Sequence, residues 1–131
     1  RGRERTLEMA SLAVRRGFKN FTLCNTLAVE DDRLGIGRGG LSGRPLFPLA
    51  LKALRDFNQE LGDEISVIGV GGIITGSQAF EMLNAGAKAV ELLTALILRG
   101  PFVVEKLIRE LESTMKAKDF SSVRELIGHS I

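Results

Sequence analysis

The sequence predicts an α/β fold with a parallel sheet, because three short runs of strand-forming residues alternate with amphipathic stretches along the chain. The amphipathic stretches carry apolar residues at the 3.6-residue period of a helix. Glycines or small residues follow each run, as tight strand-to-helix turns require. The predicted order is helix, strand, helix, strand, helix, strand, helix, helix, and 131 residues are enough for one domain of ordinary size.

The first helix is predicted over residues 4–16, where apolar residues recur every three or four positions. Gly17 follows a basic pair, which is typical of a helix end. The run from Phe21 to Cys24 is rich in strand formers and predicts the first strand. The polar, glycine-rich segment 25–44 is expected to be a loop.

A strong helix signal over residues 50–61 follows, with five apolar residues on one face and Gly62 at its end. Residues 65–70 predict the second strand. This run is apolar on both faces, as expected of a parallel strand covered by helices. A further helix is predicted over about residues 77–85, with Gly86 as its stop.

The third strand is predicted over residues 89–93. A long helix is expected to begin near Pro101, a residue favoured in the first helical turn, and to run through Met115. Ser122 and Glu125 have the spacing of a capping box, which predicts a short last helix.

Composition limits the classes of function. The chain is 44% apolar and 26% charged, close to an average soluble domain, which excludes a disordered tail or a disulfide scaffold. A net charge of +2 gives a weak field, and no Trp or Tyr is present for stacking on single strands, so a nucleic-acid partner is not expected. The single cysteine, Cys24, fits a reducing, cytoplasmic location. No apolar run approaches the roughly 18 residues of a membrane span.

Two folds are compatible with this element order: a small doubly wound sheet and a piece of a (β/α)₈ barrel. A whole barrel typically needs about 250 residues, so three predicted strands would supply part of one. The chain begins at Arg1 without an initiator Met, and the sequence does not specify whether Arg1 is the natural start. Both folds place their ligand sites at the carboxyl ends of the strands.

Glycine or small-residue segments follow all three predicted strands. They are Gly39 to Gly43, Gly71-Gly72 and Thr94-Ala95. Glycine lets backbone N–H groups approach an anion, and the following helix adds its positive end. One such turn is commonly structural, whereas three at one sheet edge favour a phosphate site.

Polar side chains near the first strand are further candidates. Asn25 and Thr26 follow it, and an amide there can offer a donor and an acceptor to a planar ring. An Asx-turn that only closes the strand fits the sequence equally well. Cys24 is expected to be a small apolar residue rather than a nucleophile, since no His lies near it. The acidic cluster 30–32 is expected to be a solvated loop rather than a metal site.

Five short motifs are distinctive as an ordered set. They are Cys24-Asn25-Thr26, GGLSGRPL at 39–46, IGVGGI at 68–73, Ala85-Gly86-Ala87, and Thr94-Ala95-Leu96 with Gly100-Pro101. In order and spacing they resemble the C-terminal part of the dihydroorotate dehydrogenase family, from about Phe18 to the end of the chain. The resemblance implies that residues 1–131 are a partial domain, the C-terminal segment of about three βα units of a TIM (β/α)₈ barrel.

The resemblance also implies a function: an FMN-dependent oxidoreductase that converts dihydroorotate to orotate in pyrimidine biosynthesis. By motif match, Asn25 and Thr26 would bind the pyrimidine ring of the substrate. The residues that would bind FMN are Cys24, Gly43, Gly71, Gly72, Leu93 and Thr94, with Ser42 as a weaker candidate. The family's catalytic base and flavin lysine lie on earlier strands and match nothing in this chain, so no catalytic residue is assigned.

Two other interpretations stay open. Without the base and the lysine, the chain alone would be a non-catalytic module that binds phosphate weakly or packs against a partner. Alternatively, it belongs to another phosphate-binding barrel enzyme, because the GVGG turn recurs among them. The open edges of a three-stranded sheet predict association or a homo-oligomer. The electron acceptor is not specified by the sequence.

Overall fold

The computed structural model describes residues 2–62 and 65–130. In chain order the elements are α1 (Gly2–Arg15), β1 (Asn20–Thr22), β2 (Leu27–Glu30), β3 (Arg38–Leu41), a 3₁₀ turn (Arg44–Leu46), α2 (Phe47–Leu61), β4 (Ser66–Val70), α3 (Gly76–Asn84), β5 (Ala89–Glu91), α4 (Thr94–Arg99), α5 (Val103–Ala117) and α6 (Val123–Leu126). No helix within these two ranges is both long enough and apolar enough to cross a bilayer.

The three predicted strands form one parallel sheet in the order β1-β4-β5. Phe21 lies opposite Val67, and Val70 lies opposite Glu91. The loops that follow the strands therefore meet at one edge of the sheet, as parallel pairing requires. This topology confirms the α/β class that the alternation of strands and helices predicts.

The main core lies between the sheet and helices α2 and α3. Leu54, Val67 and Met82 are almost completely buried there. Asn58 is a buried polar residue whose Nδ2 donates to the carbonyl of Ala85 at 2.8 Å, which links α2 to the end of α3. Burying an amide group is tolerated because this bond replaces the one it would make with water.

The predicted loop over residues 25–44 is wrong. It contains an antiparallel hairpin in which β2 pairs with β3, followed by the 3₁₀ turn. β3 contains Gly39 and Gly40, which have low strand propensity and gave no strand pattern. A Cβ on Gly40 would lie 2.3 Å from Oγ1 of Thr26, so glycine allows the hairpin to pass close to the end of β1.

Helix boundaries also differ from the prediction. α2 begins at Phe47 rather than at residue 50, because Pro48 is compatible with a first helical turn, whereas α5 begins at Val103, two residues after Pro101 and close to the predicted start. The short helix α4 was not predicted, since six residues carry too little periodicity. α3 has a full capping box between Thr75 and Gln78 that the sequence analysis overlooked.

Strand boundaries and the last cap are corrected as well. β1 covers 20–22 instead of 21–24, and β5 covers 89–91 instead of 89–93. The predicted capping box at α6 is only half formed. Ser122 Oγ accepts from the N–H of Glu125 at 3.2 Å, but the Glu125 carboxylate bonds Ser121 instead.

Candidate functional site

A cavity of about 160 Å³ opens at the carboxyl edge of the sheet. It is lined by the ends of β1, β4 and β5 and by the segment that precedes the 3₁₀ turn. Nine of its lining residues were candidates from the sequence: Cys24, Asn25, Thr26, Ser42, Gly43, Gly71, Gly72, Leu93 and Thr94. The fold therefore brings together all eight predicted site residues and the weaker candidate Ser42.

The glycine turns at this edge have left-handed backbone. Gly43, Gly71 and Gly72 have φ of 84°, 114° and 73°. A Cβ on Gly72 would lie 2.6 Å from both the carbonyl oxygen of Gly43 and the backbone N of Phe47. Gly72 is thus required by close contact within the protein.

Backbone donors are free at the cavity. Across residues 2–62 and 65–130, no hydrogen bond uses the N–H of Gly43, Gly71 or Gly72. The N–H and hydroxyl of Thr94 also have no partner in those ranges. A buried or half-buried N–H without an acceptor is unfavourable, so donors converging on one cavity favour an anionic ligand.

The two βα turns touch each other beside these donors. A Cβ on Gly43 would lie 3.0 Å from Cγ2 of Thr94. Leu93 precedes α4, and its carbonyl accepts from the N–H of Leu96 at 3.0 Å. The side chain of Leu93 is 71% exposed, so it forms the outer rim of the cavity rather than its floor.

Asn25 and Thr26 lie on the open side of the cavity, and both are exposed. Asn25 makes no hydrogen bond with any residue that the structure describes, so no bond of an Asx-turn is formed there. Its amide is therefore available to a ligand with both a donor and an acceptor on one edge. Thr26 packs beside Gly40 at the base of the hairpin.

Cys24 is half-buried beside Gly71 on the wall of the cavity. Burial raises the pKa of the Cys24 thiol above its ordinary value. The thiol is protonated at neutral pH and presents an apolar surface rather than a nucleophile.

Several lining residues were missed by sequence reasoning. Leu46, Val70, Ile73 and Leu92 are apolar and carry no chemical signal. Glu91 adds a carboxylate at the end of β5, and the two-residue period of a strand would have placed it on the same side as Leu93.

A second cavity of about 620 Å³ adjoins the first and shares Ser42, Gly43 and Thr94 with it. Arg44 and Arg99 line this second cavity. Arg44 thus adds positive charge beside the free backbone donors, whereas the charge of Arg99 is paired with the carboxylate of Glu110.

Comparison with known proteins identifies the family. The profile described as "Dihydroorotate dehydrogenase" matches residues 16–115. The chain belongs to the dihydroorotate dehydrogenase family. This membership rules out the interpretation as a different family of phosphate-binding barrel enzymes.

Relatives of known name support the same family. The chain is 36% identical over 123 residues to the dihydroorotate dehydrogenase (quinone) of Erythrobacter litoralis (strain HTCC2594), covering 92% of this chain and 36% of that protein. It is 37% identical over 125 residues to the mitochondrial dihydroorotate dehydrogenase (quinone) of Mus musculus, covering 92% and 32%. The chain thus spans about a third of the length of these relatives.

Crystal structures of DHODH from Eimeria tenella have the same fold. The complex with ferulenol matches with a TM-score of 0.86 and 31% identity, covering 97% of this chain and 35% of that one. The ligand-free form matches with a TM-score of 0.83 and 32% identity, covering 96% and 36%. The chain is therefore a segment of a (β/α)₈ barrel rather than a small doubly wound sheet.

Proposed function

We propose that this chain is the C-terminal part of an FMN-dependent dihydroorotate dehydrogenase, which oxidises dihydroorotate to orotate in pyrimidine biosynthesis. On this proposal residues 1–131 form one partial barrel domain. The observation that carries it is the convergence of unpartnered backbone donors from two glycine segments and Thr94 on one cavity. The family membership supports the reaction, and the named relatives are enzymes of that reaction.

The residues present fit the phosphate end of FMN. The cavity of about 160 Å³ is smaller than the about 300–1,000 Å³ typical of a complete ligand pocket. Free N–H groups, the Thr94 hydroxyl and the adjoining Arg44 match a doubly charged group with several acceptor oxygens. An uncharged ring would leave most of these donors unused.

Each side of the cavity has its own role in the proposal. Gly43, Gly71, Gly72 and Thr94 hold the phosphate through backbone N–H groups and one hydroxyl, with Leu93 covering it from the rim. FMN, when bound, supplies the two-electron acceptor for the oxidation. Protonated Cys24 contributes an apolar wall to the cofactor site, where a charged side chain would be unfavourable.

The substrate side is formed by Asn25 and Thr26. Dihydroorotate carries N–H and C=O groups along one ring edge, and an amide can pair with both. Both residues are exposed and line the cavity. The oxidation also requires a base to take a proton from the substrate. Cys24 does not serve, because its thiol already holds its proton at neutral pH.

Comparing FMN with riboflavin tests this proposal, because riboflavin lacks only the phosphate. The full-length protein that carries this sequence is freed of flavin and titrated with each compound by fluorescence. We expect FMN to bind at least about a hundredfold more tightly than riboflavin, since two or more charge-assisted hydrogen bonds are lost. Equal affinities would contradict the phosphate site, and absence of dihydroorotate-dependent dye reduction would contradict the reaction.

The electron acceptor and the location follow as further parts of the proposal. Because the curated relatives are named as quinone enzymes, a quinone is the proposed acceptor. Steady-state assays with a soluble quinone, fumarate or NAD as alternative acceptors check this directly. A cytoplasmic location, expected from the single cysteine, stays a prediction, as does association through the open edges of β1 and β5.

A further inference from the structure

An ion pair joins two of the three segments that supply the proposed phosphate donors, the turn at Gly71-Gly72 and the helix that begins at Thr94. Arg99, the last residue of α4, donates from Nη2 to Oε1 of Glu110 on α5 at 2.5 Å. The same guanidinium donates from Nη1 to the carbonyl oxygen of Ile74 at 2.6 Å. Ile74 lies two residues after Gly72, so Arg99 bridges the β4–α3 turn and the helix that begins at Thr94.

Glu110 completes the bridge from the other side. Its Oε2 accepts from the N–H of Gly76, the first residue of α3, at 2.7 Å. A Cβ on Gly76 would lie 2.3 Å from the backbone N of Leu111, so α3 begins in direct contact with α5. The Arg99 guanidinium and the Gly76 N–H together hold the pKa of Glu110 below its ordinary value. Three elements therefore meet at one carboxylate.

A second ion pair, on α5, provides a comparison. Arg109 donates to Glu105 at 2.5 Å, one helical turn away, and the two side chains are 75% and 59% exposed. Arg99 and Glu110 are 25% and 38% exposed. The Arg109 pair lies within one helix and joins no other element that the structure describes, so it has little influence on geometry elsewhere.

We infer that Arg99 and Glu110 form a positioning pair that sets the spacing between the Gly71–Ile74 turn and α4, and thereby the affinity for the phosphate of FMN. The inference rests on the proposed function. Donors on two separate turns bind one phosphate well only when their separation is held, since small misplacements of binding groups weaken all their bonds together. Arg99 itself need not touch the cofactor.

The test compares FMN and riboflavin affinities in four variants of the full-length protein. Arg99→Met removes the bridge. Arg99→Lys keeps the positive charge but replaces the planar guanidinium, which reaches Glu110 and Ile74 together, by a single ammonium group. Glu110→Gln keeps an acceptor for the N–H of Gly76 without the charge. Arg109→Met, on the helix that carries Glu110, is the matched control. Melting temperature and the KM for dihydroorotate at saturating FMN are measured on the same preparations.

We expect Arg99→Met to weaken FMN binding about tenfold and to leave riboflavin binding unchanged, because only the phosphate contacts depend on the spacing. Arg99→Lys and Glu110→Gln should give smaller losses of the same kind. Arg109→Met should keep both affinities, and the KM for dihydroorotate should stay within about twofold in every variant, since the substrate side lies outside the bridge.

A purely structural role gives a different pattern. In that case Arg99→Met lowers the melting temperature while the ratio of FMN to riboflavin affinity in the folded protein stays at the wild-type value, which would overturn the inference. Should Arg99→Met fail to fold, the same ratio in Arg99→Lys and Glu110→Gln decides. Wild-type protein that binds no FMN would instead overturn the proposed function, and this inference with it.

Discussion

The two sides of the cavity differ in how firmly the fold holds them. The hairpin side, residues 24–43, is largely exposed, and within the described part of the chain β2 and β3 pair with each other and with no other strand. The glycine-turn side, residues 68–99, rests on residues with no solvent exposure: Ala79, Met82, Ala87 and Ala95. Arg99 and Glu110 tie this second side to α5. One side is thus open, and the other is preorganised.

This difference fits two kinds of ligand. A cofactor that stays bound gains affinity from donors already in place, because little ordering is needed on binding. A substrate must enter and a product must leave, which favours an exposed, weakly held element. We therefore expect changes on the glycine-turn side to affect retention of the flavin, and changes on the hairpin side to affect turnover.

Gly72→Val should have the largest effect. Left-handed backbone costs a β-branched residue about 1–3 kcal/mol, and the overlap with Gly43 and Phe47 costs about 1–3 kcal/mol more. The variant should unfold at a markedly lower temperature and purify without flavin. Gly37→Val is the control, because Gly37 has a similar φ of 67° and nothing within 4 Å of an added Cβ. A yellow Gly72→Val protein with full flavin content would show that the contact is not needed.

Asn25→Ala should separate substrate from cofactor binding. Losing its amide leaves polar groups of the substrate unpaired at about 1–3 kcal/mol each, so kcat/KM should fall ten- to a hundredfold or more. Flavin content should stay normal, because the phosphate donors are untouched. Asn20→Ala, at the other end of β1, provides the same chemical change away from the cavity. Unchanged kinetics with a lower melting temperature would assign Asn25 a structural role only.

Thr94→Val should weaken FMN more gently. The substitution removes the hydroxyl and keeps the N–H, so one charge-assisted hydrogen bond is lost, about 1.5–3 kcal/mol. Fluorescence titration should show a higher Kd for FMN and an unchanged Kd for riboflavin. Thr22→Val changes an exposed threonine on the same sheet and should leave both titrations unaltered. An unchanged Kd for FMN in Thr94→Val would show that the Thr94 hydroxyl does not bind the phosphate.

The smallest expected effect is the pH dependence of the bridge between the turns. Because the pKa of Glu110 is lower in the fold than its ordinary value of 4.5, its ionised form stabilises the fold above that pH. The stabilisation should be lost as the pH falls through the lowered pKa. Melting temperatures of wild type and Glu110→Gln should therefore differ at neutral pH and converge in acid. A difference that persists unchanged as the pH falls from neutral into the acid range would contradict this.

The cluster of site residues was predictable from the sequence because parallel pairing forces it. Cys24, Gly71 and Thr94 each follow a strand, and strands that run in one direction end at one edge. The order of the strands and the positions of the glycines were therefore sufficient to predict that these distant residues lie close together. Their individual roles came from resemblance and remain to be tested.

The hairpin and the bridge were decided only by tertiary structure. β3 is half glycine and depends on the close approach of Thr26 to Gly40, a contact that no local propensity encodes. Arg99 and Glu110 lie on different helices, and their pairing follows from how α4 and α5 pack. Periodicity and turn residues report short-range preferences along the chain. They were enough to predict the order of strands and helices, and from that order the parallel sheet and the edge at which its strands end. Which side chains meet across elements, and which atoms a Cβ on Gly72 would contact, depended on packing that only the complete fold creates.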